Sequence, residues 1–367
     1  MDLTWGEDYD VLADVAHSVF ERLSPLIDRG VAVDHRTHVQ QLAQLDWLTL
    51  GDPRREATGA ASLASMAAVF VELGRALVHS PLLPLTTARD AAMLCTSEQA
   101  ENLAAAIGTG DRTSVPAFCN PEWGRPCPTL RRGVLNGTVL AVPYADLADV
   151  LLVETKVSAP GQGEDAALVT VPRGPQVTVE PMPNLGEHSM FAVTFDDVEV
   201  TDTQVLARGE AARTAVRTAR SRASVLVAAQ LYGAGLALLE RTVRYAKERH
   251  QYGGPIGRFQ AVQYLCTDIA IGVHVTSAFV RDTARLLDKG ADADLELALM
   301  CKQGARTAEQ MVHAAHEVHA GIGFMVESDI HLFTKAAKKW AFDLGGDHCH
   351  DQTILAELRR TVNGERQ

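Results

Sequence analysis

Two stretches of the sequence combine side chains that can bind a charged ligand with turns that let one approach. The first, Arg249 to Tyr264, reads RHQYGGPIGRFQAVQY. A guanidinium at Arg249, closing a long helical pattern, can make paired hydrogen bonds to a phosphate or diphosphate. Gly253, Gly254 and Pro255 predict a rigid turn without large side chains, which permits close approach to the backbone. Gln260 and Gln263 then open the next helical pattern with amides able to bind a polar ligand. The simpler role for Arg249 is to offset the negative end of a helix dipole. The second stretch, VHAGIGFMVESDIHLF at Val318–Phe333, sets Gly321 and Gly323 between two helical patterns, where glycines also serve as a C-cap and turn. Glu327, Asp329 and His331 are read as caps of the following helix. His313, His316 and His319, with His348 and His350, are of a metal-binding type. Three-residue steps drift about 60° each around a helix, and no carboxylate-plus-histidine motif accompanies them, so no metal site is assigned.

The elements that carry these stretches follow from periodicity. Apolar residues recur at helical spacing from Asp8 to about Ile107, as in ASLASMAAVFVELGRAL. Between Arg112 and Ala207 the texture changes to short Val-, Leu- and Thr-rich runs such as GVLNGTVLAV, DVLLVETKV and FAVTFDDVEV, with Asn136-Gly137 predicting a tight hairpin turn. Helical spacing then returns in segments near 210–249, 259–288, 293–319, 326–344 and 350–362. The predicted fold class is α+β: an N-terminal α-helical domain over residues 1–110, a middle β domain over 111–208 and a C-terminal helical bundle over 209–367. SAPGQGED at 158–165 reads as an exposed loop of the β domain.

Bulk properties narrow the function classes. A chain of 367 residues, 47% hydrophobic, can bury a large core. A net charge of −12 argues against nonspecific nucleic-acid binding or adhesion to an anionic membrane. No uninterrupted apolar run reaches the length of a membrane span, so no membrane insertion is expected. The cysteines at 95, 119, 127, 266, 301 and 349 are scattered, without a CxxC pair, and the first residues lack the regions of a signal peptide. The expectation is free thiols in a reducing cytoplasm.

The order of helices, β domain and bundle, together with both stretches, resembles the acyl-CoA dehydrogenase family. Arg249–Gln263 is similar to its R-x-Q-[FY]-G-x-P-I-G-x-F-Q-A-V-Q signature and Val318–Phe333 to its HGGIGF signature, at the spacing the family shows. Further likeness in VFVELGRALVHSPLLPL (69–85) and LNGTVLAVPYADLADVLLV (135–153) extends over most of the chain, which looks closest to the short, divergent subunits common in actinobacteria. The resemblance implies that Arg249, Gln251, Tyr252 and Gln260 contact the diphosphate and adenosine part of FAD. It implies that Glu317, Ala320, Gly321 and Gly323 lie where a partner subunit reaches the same FAD. Four departures accompany it. Glu317 stands where the family has glutamine, and Ala320 where it has the first glycine of the pair. Ala141, Val142 and Pro143 replace a W-[IVS]-[TS] segment that meets the flavin ring, and NPEWGRP (120–126) replaces EPxxGSD.

The family needs a carboxylate to remove the α-proton of an acyl thioester, at one of two positions. Here these are Ala223 and Leu344, the latter followed by Gly345, and neither accepts a proton. Asp343 and Asp347 flank the second position, where they also suit the capping of a helix end. No catalytic residue is therefore assigned. The resemblance implies an FAD-dependent acyl-CoA dehydrogenase, an α,β-desaturase of acyl thioesters, with this chain as the base-lacking subunit of a heteromeric enzyme. Its implied partners are an acyl-CoA substrate, a homologous dehydrogenase subunit or a second copy in a tetramer, and an electron-accepting flavoprotein. The alternatives are a homotetramer acting on an acyl-CoA or carrier-protein thioester with Asp347 as base, and a non-catalytic homologue kept for assembly. Small residues at Ala223, Ser224, Gly233 and Gly235 leave two readings open, room for a bulky substrate and close helix packing.

Overall fold

The computed structural model describes residues 5, 8–30, 33–54, 62–120, 126–157, 165–186 and 188–363, without the side chains of Asp347 and Cys349. The loop expected at 158–165 and most of the NPEWGRP segment lie outside the described residues. Helices come first, as α1 (Tyr9–Glu21), α2 (His35–Gln44), α3 (Leu63–Arg75), α4 (Leu82–Met93) and α5 (Glu98–Gly108). The strands follow, β1 (Ser114–Ala117), β2 (Thr129–Arg131), β3 (Val134–Pro143), β4 (Val150–Val157), β5 (Asp165–Pro172), β6 (Val177–Pro181), β7 (Met190–Glu199) and β8 (Val205–Arg208). Then come α6 (Gly209–Glu248), a two-stranded hairpin of β9 (His250–Gln251) and β10 (Gly254–Pro255), α7 (Gln260–Asp288), α8 (Asp294–His319), α9 (Ile330–Asp343) and α10 (Asp347–Val362). This is the α+β order that the sequence implies.

By compactness the chain divides into two units, one of residues 1–32, 56–78 and 224–367, the other of 33–55 and 79–223. The second unit is built on one sheet of order β6-β7-β3-β2-β4-β5-β8, with β1 also pairing to β4. β4 is parallel to both β1 and β2 and antiparallel to β5, and its first four residues are buried, the uninterrupted apolar run that a central strand requires. Asn136-Gly137 does not form the expected turn. The β2–β3 hairpin turns at Arg132 (φ 51°) and Gly133 (φ 80°), while Asn136 and Gly137 lie inside β3 at a register shift. Asn136 instead exchanges two side-chain hydrogen bonds of 2.9 Å with Asp197. The glycine is needed there because a Cβ would sit 2.8 Å from the Cα of Pro128.

Two of the six cysteines are not free thiols. Cys119 and Cys127 form a disulfide with a Cα separation of 5.4 Å, whereas Cys95 and Cys301 are buried free thiols and Cys266 is a half-buried one. β4 gathers the two together, its Glu154 carboxylate accepting from the Cys119 amide and its Lys156 amide donating to the Pro128 carbonyl. Elsewhere in this unit Asp90, 2% exposed, accepts from two buried arginines. Arg222 Nε donates to Oδ2 at 2.6 Å and Arg89 Nε to Oδ1 at 3.0 Å, and both guanidiniums also donate to the Gly51 carbonyl.

In the first unit α8 packs against α7, α9 and α10, and the bundle is extended by α3 against α7 and α1 against α3. Asp288 at the end of α7 caps α3, accepting from the amides of Leu63 (2.7 Å) and Ala64 (3.2 Å). Gly233 and Gly235 serve close packing: a Cβ on Gly233 would lie 1.8 Å from the Val71 carbonyl oxygen, and one on Gly235 would lie 2.4 Å from a Val273 methyl. α9 starts at Ile330, later than expected, because successive turns at Ile322–Met325 and Met325–Ser328 occupy the preceding residues. Part of α6 is long and apolar enough to cross a membrane by composition alone, but 61% of that window is buried inside the protein. Removing the carboxylate shared by two buried guanidiniums, as in Asp90→Ala, is expected to cost about 3–5 kcal/mol, measured by urea unfolding.

Candidate functional site

The Arg249 stretch forms a short, well-tied corner. The Arg249 amide donates to the Tyr245 carbonyl at 2.8 Å, closing α6, and the Arg249 carbonyl accepts from the Ile256 amide at 2.8 Å. Between them β9 and β10 pair Gln251 with Gly254. The turn residues are Tyr252 (φ 54°) and Gly253 (φ 84°), the left-handed pair of a two-residue hairpin, so the turn lies one residue earlier than expected. Arg258, which sequence reasoning passed over, donates to the Tyr252 carbonyl and stacks on Phe259 at 5.0 Å. A cation one residue before an aromatic at a helix start is the signal that would have found it. Gln263 is committed to the fold, its amide donating to the Gly257 carbonyl at 3.0 Å. Arg249, Gln251, Tyr252 and Gln260 are exposed, and the side chains of Arg249, Gln251 and Gln260 make no hydrogen bond or ion pair among the described residues. Phe259 gives α7 no side-chain cap, so the amides of its first turn face outward unsatisfied. Free amides at a helix start, beside an unpaired guanidinium, suit an anion.

The second stretch lies at the same end of the bundle. Tyr245, in the last turn of α6, stacks on His319, the last residue of α8, with ring centroids 4.3 Å apart. A 3₁₀ turn, Ala320–Phe324, follows. Gly321 is open, since a Cβ there would meet nothing within 4 Å, whereas a Cβ on Gly323 would press to 2.9 Å from His316 Nδ1. Ala320 holds φ 52° and ψ −140°, a conformation that favours glycine, so the departure from the glycine pair carries backbone strain. Glu317 is exposed and faces His313 at 3.3 Å. A groove of about 1130 Å³ runs beside these elements, lined in part by Leu265, Asp268, Arg306, Glu317, Phe324 and Lys338. Of the eight residues assigned from the sequence, only Glu317 lines it.

The histidines of α8 support the turn. The Thr334 hydroxyl donates to the Ile330 carbonyl, so His316 Nε2, 2.7 Å from that hydroxyl, is the donor of its pair. Its Nδ1 is then a buried lone pair without a partner among the described residues. Burial, then the neighbouring His313 and His331, hold the His316 pKa below its ordinary value, and burial, then His316, lower that of His319 to about 4.

Neither position for a base presents a carboxylate. Leu344 is 2% exposed, and its Cδ1 lies 2.7 Å from where a Cβ on Gly304 would be, so this side chain fills a slot in the bundle. Asp343 is paired with Lys339 one turn earlier. Asp347 opens α10, its side chain outside the described residues. In the sheet, Ala141 has φ 53° and its amide points at the Met182 sulfur, 3.3 Å away, while Val142 is buried and Pro143 has no N–H to offer. Beside these strands the space lined by Thr138, Val139 and Leu140 is only about 10 Å³.

Residues 210–357 match the family described as acyl-CoA dehydrogenase, C-terminal domain. The chain is 29% identical over 301 residues to acyl-CoA dehydrogenase IpdE2 of Mycolicibacterium smegmatis, covering 81% of this chain and 79% of that one. Among solved structures it is similar to a chain of the ChsE4-ChsE5 complex from Mycobacterium tuberculosis, with a TM-score of 0.85 and 24% identity over 98% of this chain and 99% of that chain. It is similar also to PigA with FAD and proline, with a TM-score of 0.81 and 19% identity over 98% of this chain and 99% of that chain.

Two outcomes are expected from the geometry. Because the folded-state pKa of His319 lies below the ordinary 6.5, the unfolded chain binds more protons between pH 6.5 and about 4. Stability should therefore fall through that window as pH drops, by on the order of 2–3 kcal/mol. Urea midpoints against pH should show the slope, and His319→Phe, which keeps an aromatic ring against Tyr245, should flatten it. Ala320→Gly should raise stability by about 1 kcal/mol.

Proposed function

We propose that this chain, whose residues 210–357 match the acyl-CoA dehydrogenase C-terminal domain and which is similar to IpdE2 over most of its length, is one subunit of an FAD-dependent enzyme that desaturates acyl thioesters, and that a homologous partner chain supplies the base. The observation that carries this reading is Leu344, packed against Gly304 where the resemblance puts a carboxylate. A partner is consistent with the similar ChsE4-ChsE5 complex, and FAD with the similar PigA structure.

The fit to FAD differs at its two ends. Arg249, Gln251 and Gln260 are exposed with free side chains, and α7 starts uncapped. These groups suit a diphosphate with its adjoining ribose and adenine. Arg249 would donate paired hydrogen bonds to phosphate oxygens, the amides of the first turn of α7 would add to its field, and Gln260 would orient the nucleoside. Among the described residues the other end offers less on this chain's own sheet, where Ala141, Val142 and Pro143 give no hydroxyl or free amide. FAD, when bound, supplies the hydride acceptor. This chain's part is to bind and orient it, while proton removal falls to a carboxylate elsewhere. Glu317 puts a carboxylate where the resemblance has glutamine, 3.3 Å from His313. The acyl-CoA substrate, the tetramer, the electron-accepting flavoprotein and a cytoplasmic setting belong to the same proposal.

Mixed anaerobically with acyl-CoAs, the isolated chain is expected to leave added FAD unbleached, and bleaching should appear with a co-purified homologous partner. Bleaching by the chain alone that disappears in Asp347→Asn would overturn the subunit reading. Leu344→Glu should not restore activity, because it buries a carboxylate against Gly304, and should instead cost about 3 kcal/mol or more. Arg249→Ala should weaken FAD retention by about 10-fold or more, a loss of roughly 1.5–3 kcal/mol for a charge-assisted contact, read as flavin-to-protein ratio after gel filtration.

A further inference from the structure

Cys119 and Pro128, the residue after Cys127, are each anchored to β4 by hydrogen bonds that do not involve the bridge. At the first, the Cys119 amide donates to Glu154 Oε2 at 2.9 Å, and Arg220 donates both to the Cys119 carbonyl and, at 3.1 Å, to the same carboxylate oxygen. β1 leads into this point in register with β4, Ala117 opposite Val153. At the second, the Pro128 carbonyl accepts from the Thr155 hydroxyl at 2.8 Å and the Lys156 amide at 2.9 Å. The backbone at both ends of the bridge is thus held by β4 whether or not the sulfurs are bonded. A disulfide that staples a fold works by restraining chain ends that are otherwise loose, and here the ends are already fixed.

The surroundings also accommodate the reduced pair. Cys119 Sγ lies 3.4 Å from the Glu154 main-chain oxygen, so a thiol there has an acceptor in place and breaking the bridge leaves no buried donor unsatisfied. The two sulfurs differ in access. Cys119 is 5% exposed and Cys127 is half-exposed. The space beside Cys119, lined also by Pro126 and Pro128, is about 10 Å³, at the lower limit for one water molecule, so the more exposed Cys127 sulfur is the one a reagent meets.

We propose that Cys119 and Cys127 form a reversible thiol–disulfide exchange site, entered at Cys127 by a small thiol or a protein dithiol. The attacking thiolate bonds to Cys127 Sγ, the bond between the two cysteines breaks, and its electron pair leaves on Cys119 Sγ, which takes up a proton and donates it to the Glu154 carbonyl. The second thiol of the reductant then displaces Cys127 as a thiol and leaves in a disulfide. Two electrons and two protons pass from the dithiol to the protein, and a disulfide oxidant reverses the sequence.

The test uses the full chain under native conditions, with alkylation sites read by peptide mass mapping. Before reductant, Cys119 and Cys127 should resist alkylation and appear as one linked pair. Dithiothreitol should open the pair without unfolding, and oxidised glutathione should close it. Reduced glutathione should give a mixed disulfide on Cys127. Three results would overturn the proposal: both cysteines alkylated before any reductant and unlinked after oxidised glutathione, an adduct on Cys119 in place of Cys127, or reduction only once denaturant has unfolded the chain. The double variant Cys119→Ser/Cys127→Ser separates exchange from stapling. It is expected to fold and melt within about 5 °C of the parent, whereas a double variant and a Cys127→Ser single variant that both fail to fold would mark the bridge as a staple.

Discussion

The approach of α3 to α6 at their glycines constrains everything that α6 presents in its unit. A Cβ on Gly74 would lie 1.9 Å from the Gln230 carbonyl oxygen, and one on Gly233 would lie 1.8 Å from that of Val71, so the two helices touch backbone to backbone from both sides. No side chain fits at either place without separating them. The contact fixes the axis of the 224–248 part of α6, and hence where Tyr245 stacks on His319 and where Arg249 emerges. Gly233 and Gly235 on this helix therefore serve close packing. That geometry sets where the free Arg249 guanidinium leaves the end of α6 that carries the Tyr245–His319 stack.

The same economy of space bears on the two ends of the proposed cofactor site. At the bundle end the relevant groups are surface groups, and leaving them free costs little because water satisfies them. In the interior a carboxylate at position 344 would need a partner or a channel, and the slot beside Gly304 offers an apolar fit to leucine. Burial of a leucine stabilises by about 1.5–3 kcal/mol, so a leucine in that slot favours the fold where a carboxylate would not. The inward face of β3 follows the same course: Val142 is packed, and the Ala141 amide has only a methionine sulfur for company.

The long helices were legible because their apolar spacing persists over several turns, and α6, α7 and α8 begin and end within a residue or so of the expected positions. Arg249, Gln260 and the glycine turn were legible as a motif of residue types. What could not be read depended on pairing across the chain. Asn136-Gly137 looks like a turn because its backbone freedom is local, but Asp197 and Pro128, distant in sequence, hold it inside a strand. Cys119 and Cys127 carry no local signature, and only the strand between them in space brings the sulfurs together. Gln263 looked as free as Gln260, yet the bend at Gly257 puts a carbonyl within its reach.

Around the free polar groups stands an apolar surface that a nucleotide alone does not cover. Tyr252 is 86% exposed, Phe324 71% and Val326 73%, with Ile322, Met325 and Tyr264 also exposed. Isolated apolar residues at a surface need no explanation, but a set gathered around two ligand-ready turns costs free energy in water. A diphosphate satisfies the guanidinium and the amides and leaves these side chains wet. A protein surface laid over the turns removes both costs at once, and in doing so excludes the water that competes for phosphate oxygens. On the proposed subunit reading, cofactor affinity and subunit association are one coupled equilibrium in which each tightens the other.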